Sequence, residues 1–206
     1  MFILGLTGSI GMGKTVAAGD FRRLGLPVHD SDAAVHALMA RGGAAVADVG
    51  TAFPGIVRDG AVDRGALGKR VFGDDVALRT LEAILHPMVR RRERAFLGLH
   101  ARLRTPAVVL DIPLLFETGG EERCDAVCVV SAPYREQRRR VLRRPGMTEA
   151  RFQEVLKHQI PDYLKRRAAD FVIFTGLGRA HSLPIIRRIA TIAQSTAGSH
   201  WPPFKL

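Results

Sequence analysis

The chain has 206 residues, of which 47% are hydrophobic and 25% charged, and its formal net charge is +11. This length suits one core domain with insertions and excludes two large domains, and no apolar run approaches the roughly 20 residues of a membrane helix. Two cysteines exclude a disulfide framework, and a zinc site would need histidine partners that are not near them in the sequence. Because the N-terminus lacks the basic segment of a signal peptide, we expect a cytoplasmic protein with no membrane partner.

The positive charge comes almost entirely from arginine, since the chain has only five lysines. Such a balance suggests polyanionic partners, either nucleic acid or nucleotides. The arginines cluster at 90–104 and 135–151 rather than in a tail, and aromatic residues do not alternate with them. A stacking platform for single strands is therefore not evident, and we expect no nucleic-acid partner.

The first element along the chain is a short buried strand, 1–7, which leads into the run Gly8-Ser9-Ile10-Gly11-Met12-Gly13-Lys14-Thr15 and then into a helical pattern. This run fits the phosphate-binding pattern G-x-x-x-x-G-K-[ST] at every fixed position. The glycines let several N–H groups point at one anion, and the helix adds its positive end. Lys14 suits the outer phosphates, and the Thr15 hydroxyl suits Mg²⁺. The motif predicts a site for a nucleoside triphosphate, formed by Gly8, Ser9, Gly11, Met12, Gly13, Lys14, Thr15 and Val16; the alternative is a glycine-rich turn that matches by chance.

A second strand, 26–29, follows once Gly25 ends the first helix. Two strands joined by a helix predict a parallel sheet, so Asp30-Ser31-Asp32 should lie at the strand's carboxyl end, beside the phosphate loop. This position makes Asp32 a candidate general base. Asp30 or Ser31 could equally serve only to cap the next helix.

Residues 33–104 predict helices and no convincing strand, with turns at 53–55 and 58–60. The helical patterns cover 33–41, 44–53, 63–72, 74–85 and 87–104. His86-Pro87 is typical of a helix start. His86 is then either a capping residue or a contact to a ligand.

Three more strands are predicted at 106–111, 125–130 and 169–174, with a helix at 183–191 and a poorly ordered tail from Ser195. Asp111 ends the first of these three strands. In this position it resembles the acidic residue that lies behind Mg²⁺ in phosphate-loop proteins.

An arginine-rich segment, 134–159, predicts two helices around Pro145-Gly146, the second capped by Thr148. Such helices can form a mobile cap whose arginines neutralise a transferring phosphoryl group. Arg140 and Arg144 lie four apart, on one predicted helical face, and are the candidates for that role. Most of the other arginines here fit a solvated basic face.

Together these features resemble the dephospho-coenzyme A kinases. Beyond the phosphate loop, the resemblance is carried by Leu24 to Asp32, Asp63-Arg64, Leu85-His86-Pro87, the run Asp111 to Glu117, the lid residues Gln137, Arg140, Arg144 and Gln159, and the strand Ala169 to Ile173. Two departures stand out. Ser31 replaces the family's usual alanine, and Phe174-Thr175-Gly176 stands where many members have asparagines near the adenine, whereas this chain contains no asparagine.

The resemblance implies an α/β fold: a P-loop kinase core with a five-stranded parallel sheet (1–31, 106–133 and 160–194), a helical acceptor-binding insertion (32–105), a lid (134–159) and a tail (195–206). It implies transfer of the γ-phosphate of ATP to the ribose 3′-hydroxyl of dephospho-coenzyme A, with Mg²⁺ as cofactor. We also expect the protein to be a monomer. Asp32 corresponds to the acid that activates the hydroxyl, Lys14 and the loop backbone to the ATP site, and Arg140 and Arg144 to lid arginines. Asp111 stands where the family has an acid near the site. We therefore expect Asp32, Lys14, Arg140 and Arg144 to be catalytic, and Asp32, His86 and Asp111 to contact the substrate.

Three other functions compete with this one. A P-loop kinase for another small acceptor would carry the same loop and lid. A GTPase switch should carry N-K-x-D, which a chain without asparagine cannot. A nucleic-acid-binding ATPase predicts tight, salt-sensitive binding to DNA or RNA.

Overall fold

The structure, a computed structural model, describes residues 1–202. Its strands in chain order are β1 (Phe2–Thr7), β2 (Val28–Asp30), β3 (Val57–Arg58), β4 (Ala61–Val62), β5 (Ala107–Asp111), β6 (Ala126–Ser131) and β7 (Phe171–Phe174). Its helices are α1 (Lys14–Arg23), α2 (Ser31–Met39), α3 (Val46–Ala52), α4 (Arg64–Val71), α5 (Asp75–Arg102), α6 (Tyr134–Leu142), α7 (Glu149–Lys157), α8 (Asp162–Ala168) and α9 (Arg179–Ser195). Within residues 1–202, none of the helices has both the length and the apolar character that a membrane span requires. The chain divides into two compact units, Met1–His29 with Leu99 onward, and Asp30–Gly98.

The first unit is built on a five-stranded sheet in the order β2-β5-β1-β6-β7. β1 pairs in parallel with β5 and β6, and β6 pairs in parallel with β7. Every residue of β1, β5 and β6 is buried, as expected for strands covered on both faces. The predicted α/β fold with a five-stranded parallel sheet is confirmed.

The register places the ends of β1 and β5 side by side, with Leu6 opposite Asp111. Since the strands are parallel, their carboxyl ends share one edge of the sheet. The loop that follows β1 and the carboxylate that ends β5 are therefore neighbours, although they are far apart in the chain.

Helix α1 is fastened to α9 by a buried carboxylate. The Asp20 side chain is fully buried and accepts hydrogen bonds from Arg179 Nη2 at 2.8 Å and Arg23 Nη1 at 2.8 Å. The hydrogen bond from Arg179 is the largest of the effects that lower the pKa of Asp20 below its ordinary value. Because α1 begins at the glycine-rich loop, this anchor also holds the helix that carries the loop.

The second unit is a small helical core with one hairpin. Its buried residues come from α2 to α5 and include Leu38, Val49, Leu67, Leu81 and Leu85. The expectation that this region has no strand is wrong, because β3 and β4 pair antiparallel. The predicted turn at 58–60 joins them, and Asp59 and Gly60 both have positive φ, which suits a tight hairpin turn.

The predicted break before Pro87 is also wrong. α5 runs unbroken for 28 residues with Pro87 inside it. Leu81, Leu85 and Leu97 are buried along this helix, and such packing outweighs the lost backbone hydrogen bond of one proline. His86 is exposed in the middle of α5, so it is not the capping residue that its proline neighbour suggested.

Two segments near the C-terminus differ from expectation. α8 was not predicted, and its buried position is Lys165 rather than an apolar residue, so hydrophobic periodicity could not reveal it. The tail was predicted to be poorly ordered from Ser195, but Ser195 ends α9 and Ser199 donates its N–H to Asp125 Oδ1 at 2.5 Å. Residues 203–206 of that predicted tail lie outside the described residues.

Candidate active site

The glycine-rich loop joins β1 to α1, as the sequence predicts, and two of its glycines are required by geometry. Gly11 has φ 76°, and a Cβ there would meet Val141 Cγ2 at 2.5 Å. Gly13 has φ 98° and precedes the first residue of α1. Any other residue at these two positions would destabilise the loop. It would be strained by the left-handed backbone conformation, and at Gly11 it would also clash with α6.

Backbone N–H groups at the start of α1 suit an anion. Val16 N–H and Ala17 N–H donate to Gly13 O at 3.1 and 3.2 Å, so the Val16 N–H is already used. Its side chain is half exposed and apolar, which leaves Val16 little to offer a phosphate. Lys14 and Thr15 come first in the helix, where N–H groups have no intrahelical partner, and the positive end of the helix dipole adds to the attraction.

Ser9 and Met12 face away from solvent. Both side chains are buried, and Met12 Sδ accepts from Ala132 N at 3.1 Å. Their part in binding a phosphate would come from the backbone. Met12 N–H donates to Ser9 O at 3.2 Å and so closes a turn inside the loop.

Lys14 and Asp111 form an ion pair at the edge of the sheet. Lys14 Nζ lies 2.5 Å from Asp111 Oδ1, with side-chain exposures of 16% and 4%. The sequence predicted both residues as site residues but not their pairing. The pair compensates two charges that would each be costly to bury alone, and the remaining exposure of Lys14 leaves its ammonium within reach of a ligand in the loop.

Thr15 is the second residue of α1, and it is exposed. Its hydroxyl and the Asp111 carboxylate offer oxygen ligands, the type that Mg²⁺ prefers. Among residues 1–202, no group of three or more His, Cys, Asp or Glu side chains could hold a metal ion. A cation here would take its other ligands from phosphate and water.

Arg140 and Arg144 do not share a helical face. α6 ends at Leu142, so Arg144 lies beyond the helix, and the argument from their spacing is wrong. Arg144 is exposed, whereas the partly buried Arg140 reaches the glycine-rich loop. Arg140 Nη1 donates to Thr175 Oγ1 at 2.9 Å and Nη2 to Thr175 O at 2.7 Å, and Nη1 lies 3.4 Å from both Gly11 O and Met12 O.

In the second unit, Asp32 lies in the first turn of α2 and is exposed. Asp30 is the residue that caps this helix, since its side chain accepts from Ala33 N at 2.9 Å. Asp32 is therefore not needed as the cap.

Sequence reasoning missed an ion pair beneath the loop between α7 and α8. Lys165, which is fully buried, places Nζ 2.7 Å from Glu117 Oε1, and the same oxygen accepts from Ile160 N at 2.9 Å. Glu117 ends the run that carries the family resemblance, but nothing in the sequence marks Lys165 as its partner.

A cavity of about 560 Å³ lies on the same side of the first unit. Its walls include Ser9 and Met12 of the loop, Gln137 of α6, Gln159 between α7 and α8, and Asp162 at the start of α8. The loop therefore borders open space on one side.

Comparison with known proteins places this arrangement in one family. Residues 2–177 match the dephospho-CoA kinase family model. The dephospho-CoA kinase of Paramagnetospirillum magneticum is 68% identical over 166 residues, which are 81% of this chain and 78% of that protein. The dephospho-CoA kinase of Rhodospirillum rubrum is 57% identical over 195 residues, 94% of this chain and 92% of that protein.

Solved structures show the same fold. The structure of TT1252 from Thermus thermophilus is 37% identical, has a TM-score of 0.80, and covers 95% of this chain and 98% of its own. The dephospho-CoA kinase from Campylobacter jejuni shares the fold, with a TM-score of 0.63 at 21% identity over 93% of this chain and 96% of its own. Because the family model covers most of the sequence and relatives over half identical align across most of their length, the chain belongs to the dephospho-CoA kinase family.

Proposed function

We propose that this protein transfers the γ-phosphate of ATP to the 3′-hydroxyl of the ribose of dephospho-coenzyme A, giving coenzyme A and ADP. This is the last step of coenzyme A biosynthesis. The observation that carries the proposal is the Lys14–Asp111 pair at the mouth of a complete phosphate loop, in a chain of this family.

Lys14 supplies the mobile charge for phosphate binding. Its ammonium lies 2.5 Å from Asp111 Oδ1. A triphosphate in the loop presents several anionic oxygens toward which the ammonium can turn, and a magnesium ion held by Asp111 would then compensate that nearly buried carboxylate. The loop backbone and the start of α1 then neutralise the rest of the phosphate charge.

Thr15 and Asp111 are the residues that would hold Mg²⁺. A bound magnesium ion neutralises charge on the phosphate oxygens during transfer. The exposed Thr15 hydroxyl and the nearly buried Asp111 carboxylate supply oxygen ligands for it.

Asp32 is the proposed general base. An alcohol that attacks a phosphorus atom must lose a proton, and a positioned carboxylate can accept it. The exposure of Asp32, and the capping of α2 by Asp30, leave this carboxylate available for such a role.

Arg144 and His86 are proposed to contact the substrates. Both side chains are exposed. Arg144 can therefore approach the transferring phosphoryl group, while His86 is proposed to contact the acceptor. The monomeric state and the cytoplasmic location stay predictions, and the former can be measured by light scattering.

The test is ADP release with Mg-ATP and a panel of acceptors: dephospho-coenzyme A, adenosine, AMP, CMP, shikimate and water alone. We expect turnover with dephospho-coenzyme A only, and phosphorus NMR of the product should show a new 3′-phosphomonoester. Turnover with a different acceptor would retain the kinase and refute the proposed substrate. ADP release without acceptor would indicate an ATPase.

A further inference from the structure

Three side chains hold the outward-facing carbonyls of the glycine-rich loop. They are Gln137 and Arg140 of α6 and Thr175 after β7, and we call them the carbonyl clamp. Gln137 Nε2 donates to Ile10 O at 2.9 Å, and Thr175 Oγ1 donates to Met12 O at 2.6 Å. Arg140 is bonded to Thr175 through both Nη1 and Nη2.

Because peptide units are planar, these hydrogen bonds also fix the directions of the N–H groups that follow the bonded carbonyls. In a trans peptide, the C=O of one residue and the N–H of the next point in opposite directions. When Gln137 holds Ile10 O, the Gly11 N–H must point the other way. When Thr175 holds Met12 O, the same applies to the Gly13 N–H. Within residues 1–202, neither of these two N–H groups donates a hydrogen bond to the protein.

The Thr175 hydroxyl has one proton, and the distances show where it goes. Oγ1 lies 2.6 Å from Met12 O and 3.4 Å from Ser131 O, so the proton is donated to Met12. The same oxygen accepts from Arg140 Nη1 at 2.9 Å. A hydroxyl that accepts from a guanidinium becomes a stronger donor, so Arg140 strengthens the bond that orients Gly13.

A further contact holds the preceding peptide unit of the loop, which joins Ser9 to Ile10. Ile10 N–H donates to Gln159 Oε1 at 3.1 Å, while Ile10 O accepts from Gln137. Gln137 stands before the Pro145-Gly146 turn and Gln159 follows α7. Both ends of the arginine-rich segment are therefore hydrogen-bonded to the loop.

We propose that Gln137, Arg140 and Thr175 are positioning residues that aim the Gly11 and Gly13 N–H groups at the phosphates of the nucleotide. Thr175 thereby acts on the phosphates through the loop, and it is not a contact to the base. Arg140 acts in the same way, through Thr175. This inference deepens the proposed function, because it takes the loop to be the triphosphate site.

Inorganic tripolyphosphate separates the two possible actions of Thr175, because it carries the phosphates of ATP without the nucleoside. The variant T175V keeps the shape of the side chain and removes its hydroxyl. We expect it to weaken the binding of Mg-ATP and of tripolyphosphate by the same factor, about three- to tenfold, as for the loss of one hydrogen bond. T175S keeps the hydroxyl and should restore both affinities.

The matched control is T191V. The Thr191 hydroxyl also donates to a backbone carbonyl, Arg187 O at 3.1 Å, but on α9 and away from the loop. It should leave both affinities unchanged. Calorimetric titrations of all variants, with a thermal melt of each, make the comparison, and Q137M breaks the clamp at Ile10 if T175V does not fold.

An equal loss of both affinities in T175V, or in Q137M, supports the clamp. A loss for Mg-ATP alone would place Thr175 on the nucleoside and overturn the proposal, as would unchanged affinity for both ligands. The titrations contain no acceptor, so their result does not depend on whether dephospho-coenzyme A is the substrate.

Discussion

Replacing the buried Lys165 by methionine should destabilise the protein strongly. Lys165 is fully buried, and its Nζ lies 2.7 Å from Glu117 Oε1. Within the described chain, that Nζ makes no hydrogen bond of acceptable geometry, so the pair depends on charge and proximity. The variant K165M removes the ammonium and leaves the Glu117 carboxylate, whose side chain is 14% exposed, without its counter-ion.

The magnitude follows from burial. Removing one partner of a buried ion pair costs about 3–5 kcal/mol. Glu117 retains the hydrogen bond from Ile160 N–H at 2.9 Å, and the Lys165 contact is not a well-directed hydrogen bond, so we expect about 3 kcal/mol. At roughly 2–4 °C per kcal/mol for a chain of this size, the melting temperature should fall by about 6–12 °C.

Thermal denaturation followed by circular dichroism gives the measurement. The double variant K165M/E117Q keeps an oxygen for Ile160 N–H but removes the stranded charge, so it should recover most of the loss. K157M serves as the control, because Lys157 pairs with Glu154 at 3.0 Å on the surface, where ion pairs contribute little. A shift below about 2 °C in K165M, or a double variant no more stable than K165M, would refute the reasoning.

Three further predictions concern the site and its support. D32N should lower kcat by roughly 10²–10⁴ while the affinity for ATP survives, because only proton transfer is lost; unchanged kcat would remove Asp32 from the mechanism. K14A should weaken ATP binding and slow transfer together, as measured by titration and by ADP release. Lys14 is proposed to act on the phosphates both in the bound nucleotide and in the transition state of transfer. D20N should lower the free energy of unfolding by about 1–3 kcal/mol at neutral pH, since a hydrogen bond to a charged group is weakened. Because Arg179 lowers the pKa of Asp20 in the folded state, the wild-type advantage should be complete above about pH 4 and decline as the pH falls toward that lowered pKa; denaturant unfolding at several pH values would show no such decline if the pairing is wrong.

Local sequence was sufficient where short-range chemistry decides the structure. The glycine-rich loop needs positive φ at Gly11 and Gly13, and glycine is the residue that supplies it. The central strands β1, β5 and β6 were predicted because each has an apolar run, as a strand that is buried on both faces requires. Thr148 was predicted as a cap, and its hydroxyl accepts from Arg151 N at 3.3 Å.

Prediction failed where packing overrides a local preference. Pro87 signals a helix start, yet α5 continues through it because its apolar face is buried on both sides of that residue. α8 was not predicted because its buried residue is Lys165, which pairs with Glu117 elsewhere in the chain. A buried lysine gives no hydrophobic signal in the sequence. Arg144 was predicted to share a helical face with Arg140, but α6 ends at Leu142 and does not reach Arg144.

The sequence by itself determined the chemistry that the loop can perform: a phosphate-binding backbone, a mobile ammonium at Lys14 and a hydroxyl at Thr15. Tertiary structure alone decided which distant groups serve that loop. Asp111 pairs with Lys14 because β5 lies beside β1 in the sheet, and Thr175 reaches Met12 O because β7 ends near the loop. These contacts join residues about a hundred or more positions apart. They depend on strand order and side-chain packing, which the periodicity of a local sequence does not encode.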